Sequence, residues 1–371
     1  MSQESSSIHR SFGVEEEYLL LDGRTGEPVN RAAEIIRAAP EMRTDAEREF
    51  FSSQIETATP VCTSSATALE YLTSFRQRAA AVAAEFGTIV AGTGLPPVGG
   101  DIVGTVTPRD RYRAISELLR GAGAHQYSTG THVHVAVPSR DLGVRVISSL
   151  ARWAPVLVGM TANSPLWLGE DSGFASWRHI IGLSWPAPGY PPSFDTSHDY
   201  DEALDALAHG GVIVDRAMLT WACRLSERFP TVELRLADAQ LRAADAVDFA
   251  LIVRALVERS LVDLEDGRES GVARTAITNA GMWIAARDGI SGTILNPVSG
   301  AALPAAEMIA ELVAYIEPQL EYSGDLERVR AYVARLSLDG GPARQQRKAY
   351  SGSHHLPALL ELYREAGTEA A

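Results

Sequence analysis

The chain of 371 residues carries 33 basic and 47 acidic side chains, a net charge of −14, and 46% hydrophobic residues. This composition suits a globular chain with a sizeable core and repels a phosphate backbone over most of its surface, which excludes general nucleic-acid binding. Lys348 is the one lysine, so a GxxxxGK[ST] phosphate loop is excluded, as is a Schiff-base lysine anywhere else, and arginine must carry any anion recognition.

Residues 1–11 are polar and lack the apolar core of a signal peptide, so a flexible tail is expected there. The first predicted strand is Gly13–Leu21, whose alternation puts Glu15, Glu17, Leu19 and Leu21 on one side. Phe50–Ile55 is the second, leading into Glu56 and Thr57, with Glu49 seven residues before Glu56. Cys62 and Cys223 are too few for a disulfide framework or a multi-cysteine zinc site and fit a reducing cytoplasm. A Ser64-Ser65 cap signal opens an alanine-rich helix over Thr67–Phe86, and the short β-branched run Thr88–Ala91 reads as a strand. Gly92–Gly104 reads as a long loop that starts with a Gly92-Thr93-Gly94 turn. A helix is predicted over Arg109–Arg120.

Thr131–Val137 is a strand that alternates His132 and His134 against Val133, Val135 and Val137. Asp141–Ala162 reads as one mostly apolar helix. Arg152 interrupts the most apolar stretch, Ile147–Gly169, so no membrane span is predicted. Pro186–Pro192 is a second long loop, and Thr231–Leu236 is a strand with Glu233 and Arg235 on one face. Helical spacing then covers Ala239–Glu265, Val272–Arg287, Pro304–Ile316 and Asp325–Leu336, and exposed apolar helix faces leave room for a homodimer. Functional strands first and helices last predict an α+β fold with a largely antiparallel sheet.

Glu15 and Glu17 stand roughly 7 Å apart on one strand face, where like charges repel unless a cation sits between them. The apolar Leu19-Leu20-Leu21 that follows marks the strand as interior, where carboxylates need compensation. Singly, each candidate has a plain structural reading: an edge strand, a turn at Glu56, a surface pair at Glu233 and Arg235. Together, Glu15, Glu17, Glu49, Glu56, Glu233 and an imidazole bring acidic groups to several strands of one sheet. This oxygen-rich set suits Mg²⁺ or Mn²⁺ over zinc or copper. Divalent ions with arginines are the equipment for phosphoryl transfer from ATP. A rival reading starts from Thr131-His132-Val133-His134, as in a metal hydrolase of the amidohydrolase type. The later histidines (His179, His198, His209, His354, His355) lie in loop or helix contexts that fit it poorly.

Gly13-Val14-Glu15-Glu16-Glu17, Ser53-Gln54-Ile55-Glu56, Gly130-Thr131-His132-Val133-His134-Val135 and Pro230-Thr231-Val232-Glu233-Leu234-Arg235 resemble the glutamate–cysteine ligase type 2 family. These carboxylate–amine ligases belong to the glutamine synthetase-like superfamily. The resemblance runs from about Phe12 to about Tyr363, with support at Gly173–Phe194, Trp221–Ser226, Trp283–Gly292 and Gly340–Arg347. It implies one catalytic domain over residues 12–371. Its curved, mostly antiparallel sheet would form an active-site funnel flanked by helices.

The resemblance further implies that Glu15, Glu17, Glu49, Glu56, His132 and Glu233 hold Mg²⁺ or Mn²⁺, with ATP as co-substrate. His134 is then a supporting residue. Glu56 and Arg235 are the catalytic candidates, Arg235 contacting a phosphate or the substrate carboxylate. Arg178 and Arg224 are anion-site candidates, and Arg344 and Arg347 would close over the nucleotide. The implied reaction joins glutamate to cysteine at the expense of ATP. The alternatives are a different acid or amine on the same site, the metal hydrolase, and a binding protein that retains the fold. The chain departs from the family pattern at Ala222, where an aspartate is usual, at Leu225, where a proline is usual, and at Ala280-Gly281-Met282, where polar residues are usual. The acceptor or carboxylate pocket is therefore expected to differ.

Overall fold

A computed structural model describes residues 9–268, 273–351 and 355–369. The first part supplies β1 (Phe12–Asp22), α1 (Ala32–Ala38), β2 (Ala46–Arg48), β3 (Gln54–Ala58), α2 (Ser65–Glu85), β4 (Thr88–Ala91), α3 (Asp110–Leu119) and β5 (Gly130–Ala136). The middle supplies α4 (Arg140–Leu150), α5 (Ala154–Thr161), β6 (Leu166–Trp167), β7 (Glu170–Asp171), α6 (Trp177–Gly182), α7 (Ser197–His209), β8 (Cys223–Leu225) and β9 (Thr231–Asp238). The remainder is helical apart from one hairpin: α8 (Ala243–Glu265), α9 (Thr275–Asp288), β10 (Thr293–Leu295), β11 (Ala302–Pro304), α10 (Ala305–Ser323), α11 (Leu326–Asp339), α12 (Gly341–Tyr350) and α13 (His355–Thr368).

Seven strands form one sheet in the order β2-β3-β1-β5-β9-β8, with β4 also on β1. Every pairing in it is antiparallel, which gives the α+β architecture the element order predicts. β1 pairs with β3 along one edge; on the other, β5 takes Phe12–Glu16 and β4 takes Leu19–Asp22. Strand alternation then sorts β1 between two faces. On the back, Phe12 and Val14 join Val133, Val135 and Leu234 in the main core with α8, while Tyr18 and Leu20 pack with Phe75 and Ala79 of α2. On the front, Leu19 and Leu21 enter a smaller core with Phe50, Tyr112 and Ile115. Glu15 and Glu17 lie at the other end of that front face, so the carboxylates border an apolar cluster.

Several elements differ from expectation. Phe50 to Ser53 form a turn and the strand begins at Gln54, whose backbone N–H returns to the Phe51 carbonyl at 3.0 Å. The apolar run Asp141–Ala162 breaks into α4 and α5, which meet at 72°. Pro155 in the first turn of α5 has no N–H to continue a helix, which accounts for the break. No single helix among the described residues is long and apolar enough to cross a membrane.

α8 starts at Ala243 because the carbonyls of Gln240 and Leu241 are taken by Arg76. α10 runs through Pro318 to Ser323, held by the buried Ile316 and Leu320. The helix predicted over Val272–Arg287 is α9; Val272 itself lies outside the described residues, as do residues 1–8 of the expected tail and His354. Gly92 and Gly94 do more than turn the chain. A Cβ on Gly92 would meet the Gln240 carbonyl oxygen at 2.2 Å, and one on Gly94 the Asp238 carboxyl carbon at 2.8 Å, so both permit close packing on the end of β9.

Candidate active site

Registration, more than proximity in sequence, assembles the site. Glu17 lies opposite Glu56 across β1–β3, Glu56 opposite Glu47 across β3–β2, and Glu15 opposite His132 across β1–β5. His134 lies opposite Glu233 across β5–β9, and Glu233 opposite Arg224 across β9–β8. Directly paired residues project from the same face. Five strands therefore turn carboxylates or imidazoles toward one side, and a bulge between Thr131 and Val133 leaves Arg235 near His132, with Nη1 3.4 Å from Nδ1.

One end of this cluster is compensated. Glu15 Oε2 is 3.4 Å from His132 Nδ1, and Glu15 Oε1 is 3.1 Å from His134 Nε2. Burial pushes the Glu15 carboxyl up, but the two imidazoles outweigh it and hold it low. Glu233 is clamped by Arg224, with Nε–Oε2 at 2.7 Å and Nη2–Oε1 at 3.2 Å, and is also bonded by Arg235. Burial opposes ionisation there too, and the two guanidiniums prevail. His132 is pushed down to about 4 by burial and by Arg235, so it is a neutral ring with a lone pair to offer.

The other end is not compensated. Burial drives Glu56 well above the ordinary range, and Glu49, Glu15, Glu17 and Glu47 push it further; its largest influences include no cation. Glu17 rises to about 7 through burial and the Glu49 charge, against the pull of Arg178, Arg235 and the Gly130 N–H, which donates to Oε2 at 2.6 Å. Glu49 is raised by burial, although the Tyr112 hydroxyl donates to it at 2.7 Å. Like carboxylates crowded in a dry site call for a cation.

Glu15, His134 and Glu233 each offer a ligand atom within 4.8 Å of the others. His134 Nε2 is buried and set between two carboxylates, 3.1 Å from Glu15 Oε1 and 4.0 Å from Glu233 Oε1, while its Nδ1 is held by Thr231 Oγ1 at 3.0 Å. An imidazole steered through one nitrogen, with the other set among carboxylates, is arranged as a ligand. The donor set, rich in oxygen with one or two imidazoles, fits Mg²⁺ or Mn²⁺. His134, expected as a supporting residue, thus stands among the ligand candidates.

A pocket of about 210 Å³ opens beside the uncompensated end. Glu17, Glu49, His132, Arg178 and Arg235 line it, as do Ala222 and Met282, two of the positions that depart from the family pattern. Leu225 is instead buried under α4, against Gly143. Arg224 is committed to Glu233 and to the carbonyls of Ala217 and Leu219. Arg347 is paired with Asp171 at 2.8 Å, and it and Arg344 line surface cavities that share no residue with this pocket. His179 lines the pocket as a buried ring pushed down to about 4, while His198 and His209 lie on α7. An all-antiparallel main sheet is not the parallel barrel an amidohydrolase-type site requires, so that rival reading falls.

A family model described as glutamate-cysteine ligase family 2 (GCS2) matches residues 11–365. A chain from Mycobacterium sp. (strain KMS), named "Putative glutamate--cysteine ligase 2-2", is 38% identical over 363 residues, covering 97% of this chain and 99% of that one. Another from Salinispora tropica, named "Putative glutamate--cysteine ligase 2", is 39% identical over 340 residues, covering 91% and 89%. Among solved structures, a glutamate–cysteine ligase from Francisella tularensis in complex with AMP aligns with a TM-score of 0.72 at 12% identity, over 97% of this chain and 88% of that one. A bifunctional glutathione synthetase from Pasteurella multocida aligns at 0.68 and 16% identity, over 96% of this chain and 52% of that one. At such identities the structural likeness is one of fold.

Proposed function

The chain belongs to the glutamate-cysteine ligase family 2, and from that premise we propose that it is an ATP-dependent carboxylate–amine ligase that makes an amide through an acyl phosphate. The observation that carries this reading is the carboxylate cluster. Glu15, Glu17, Glu49, Glu56 and Glu233 converge with His132 and His134 beside Arg178 and Arg235. Glu15, His134 and Glu233 would hold one divalent ion, and Glu17, Glu49 and Glu56, with His132 at their edge, would hold another. The ions would supply charge neutralisation for the phosphates of ATP and hold acid and nucleotide in line.

The chain's own residues do the rest. Arg235 is fixed by Glu233 and presents its remaining donors to the phosphoryl group or the acid. Arg178 meets the acid's carboxylate in the pocket. Tyr112 and Arg224 hold Glu49 and Glu233 in place through the bonds described above. The front-face apolar cluster keeps water from the activated acid. Arg347 is held by Asp171 and neither it nor Arg344 lines the pocket, so we assign them no step. Unbridged Cys62 and Cys223 fit a cytoplasmic setting.

Glutamate and cysteine are the substrates that the relatives' names suggest. The apolar residues Ala222 and Met282 in the pocket favour a second reading, another acid on the same site. Isotope transfer tests the chemistry common to both. An acid labelled with ¹⁸O in its carboxylate should pass one labelled oxygen to inorganic phosphate as ADP forms. AMP and pyrophosphate as products would replace the acyl phosphate by an adenylate. No nucleotide turnover with any acid and amine would leave only a binding protein of the same fold.

A further inference from the structure

The pocket beside the cluster has two kinds of lining. Its apolar lining includes Phe50, Tyr112, Ile115, Trp185, Met218 and Met282. Its cations are of unequal standing. Arg111 is spent on Asp215, with bonds of 2.6 and 3.0 Å, and Arg235 on Glu233. Arg178 is poorly answered: its bonds to the carbonyls of Leu236 and Arg235 are 3.5 Å long, Asp238 is 3.8 Å away, and Nε has no partner. Its side chain is only 15% exposed. A guanidinium kept this dry on contacts this long lacks a strong acceptor, and a carboxylate would supply one. Gly130 makes room for it, since a Cβ there would lie 2.4 Å from Arg178 Nη2.

The same inventory limits what else the ligand can carry. Among the described residues, the carboxylates and guanidiniums lining the pocket are Glu17, Glu49, Arg111, Arg178 and Arg235. Arg111 lies over the Tyr112 ring but is held by Asp215, Arg235 is held by Glu233, and Glu17 and Glu49 belong to the acidic cluster, so these lining residues leave no unengaged cation for a second carboxylate and no unengaged anion for an ammonium. Resting on the ligase reading above, we propose that the acid activated here is a monocarboxylate with an apolar aryl or branched-alkyl body. Its carboxylate lies on Arg178 and its body against Phe50, Trp185 and Met282. The volume of 210 Å³, below the roughly 300–1,000 Å³ of ordinary ligand pockets, suits a body of about one ring or a short branched chain. One carboxylate oxygen bonds to the γ-phosphorus while the β–γ bridging oxygen leaves with ADP. The amine then forms the C–N bond, gives up a proton and displaces phosphate.

Hydroxylamine serves as an amine that needs no pocket of its own. With Mg-ATP and hydroxylamine, 3-phenylpropanoate, 4-methylpentanoate and glutamate are compared by hydroxamate and ADP formation, and binding of 3-phenylpropanoate is measured in parallel by calorimetry. We expect kcat/KM for 3-phenylpropanoate at least about 10-fold above that for glutamate. Trp185→Ala should lower it by about 10-fold, the range one apolar contact supplies, with Mg-ATP binding unchanged as the control for folding. Hydroxamate from glutamate and none from the apolar acids overturns the proposal and leaves the ligase reading standing. Tight binding of 3-phenylpropanoate, weakened in Trp185→Ala, without ADP from any acid supports the pocket's ligand and overturns the ligase reading. Neither binding nor turnover of the apolar acids, with no turnover of glutamate, overturns both.

Discussion

Glu16 and Glu17 are adjacent and both buried, 1% and 8% exposed, yet they live in opposite electrostatic worlds. Glu16 faces the back of the sheet, where Arg76 of α2 bonds both its oxygens, Nη2–Oε1 at 2.5 Å and Nε–Oε2 at 3.1 Å, and Tyr18 donates its hydroxyl. Arg76 spends its remaining donors on the carbonyls of Gln240 and Leu241 at 3.0 and 2.8 Å. Every charge there has its answer within the chain, and the arrangement ties β1, α2 and the start of α8 together. Glu17 faces the front, where one backbone N–H, His132 at 3.8 Å and the pull of Arg178 and Arg235 do not offset its burial and the Glu49 charge. The back-face carboxylate is part of the fold. The front-face group is a charge the fold leaves open, which is what a binding site for cations requires.

The comparison breaks most sharply at Arg76. Arg76→Met leaves Glu16 buried and unpaired, and loss of one partner of such a bridge costs about 3–5 kcal/mol. Denaturant titration should show that loss, with metal affinity unchanged in the protein that remains folded. Glu56→Gln should do the reverse. Removing one of the crowded carboxylates relieves repulsion, so the melting temperature should hold or rise. Turnover should fall by at least about 100-fold, as when one electrostatic element of a phosphoryl-transfer site is lost. A Glu56→Gln enzyme with full ADP formation would remove Glu56 from the site.

Added magnesium sharpens the same contrast. At 100 times its dissociation constant it should stabilise the wild-type protein by about 2.7 kcal/mol. Calorimetric scans of a Glu17→Gln, Glu56→Gln double variant should show a much smaller rise, while a Glu16→Gln variant, weaker throughout, should keep the full increment. The histidines come next. Because His134 Nε2 lies between the Glu15 and Glu233 carboxylates, His134→Asn should weaken Mn²⁺ binding by about 10-fold or more, the scale on which disturbing a metal site's ligands is felt. His132→Asn should weaken it no more than this. A far larger loss at His132 would restore the assignment that the family resemblance implied. The smallest effect is expected for Gly130→Ala. Its methyl would push Arg178 aside, raising KM for the acid several-fold with little change in KM for ATP. Steady-state kinetics with each substrate varied would show it.

Much of the site was legible in advance. Period-two alternation alone places Glu15 with Glu17, His132 with His134, and Glu233 with Arg235, because strand geometry is local. The order of elements likewise implied an antiparallel sheet, and the Ser64 cap marked the start of α2, where its side chain accepts from the Ala66 N–H. Other features depend on partners distant in the chain. That Glu16 belongs to the fold and Glu17 to the site rests on Arg76, 60 residues away. That His134 turns to Glu15 and Glu233 while Arg224 is occupied rests on the registers of β1 with β5, β5 with β9 and β9 with β8. The break between α4 and α5 had a local cause in Pro155 that the apolar run obscured. Whether Arg178 is free to meet a carboxylate, or Arg347 is held by Asp171, depends on the distances between side chains brought together from different elements. Backbone periodicity determines the direction in which a side chain points; only the packed tertiary structure decides which charges are already neutralised and which remain for a ligand.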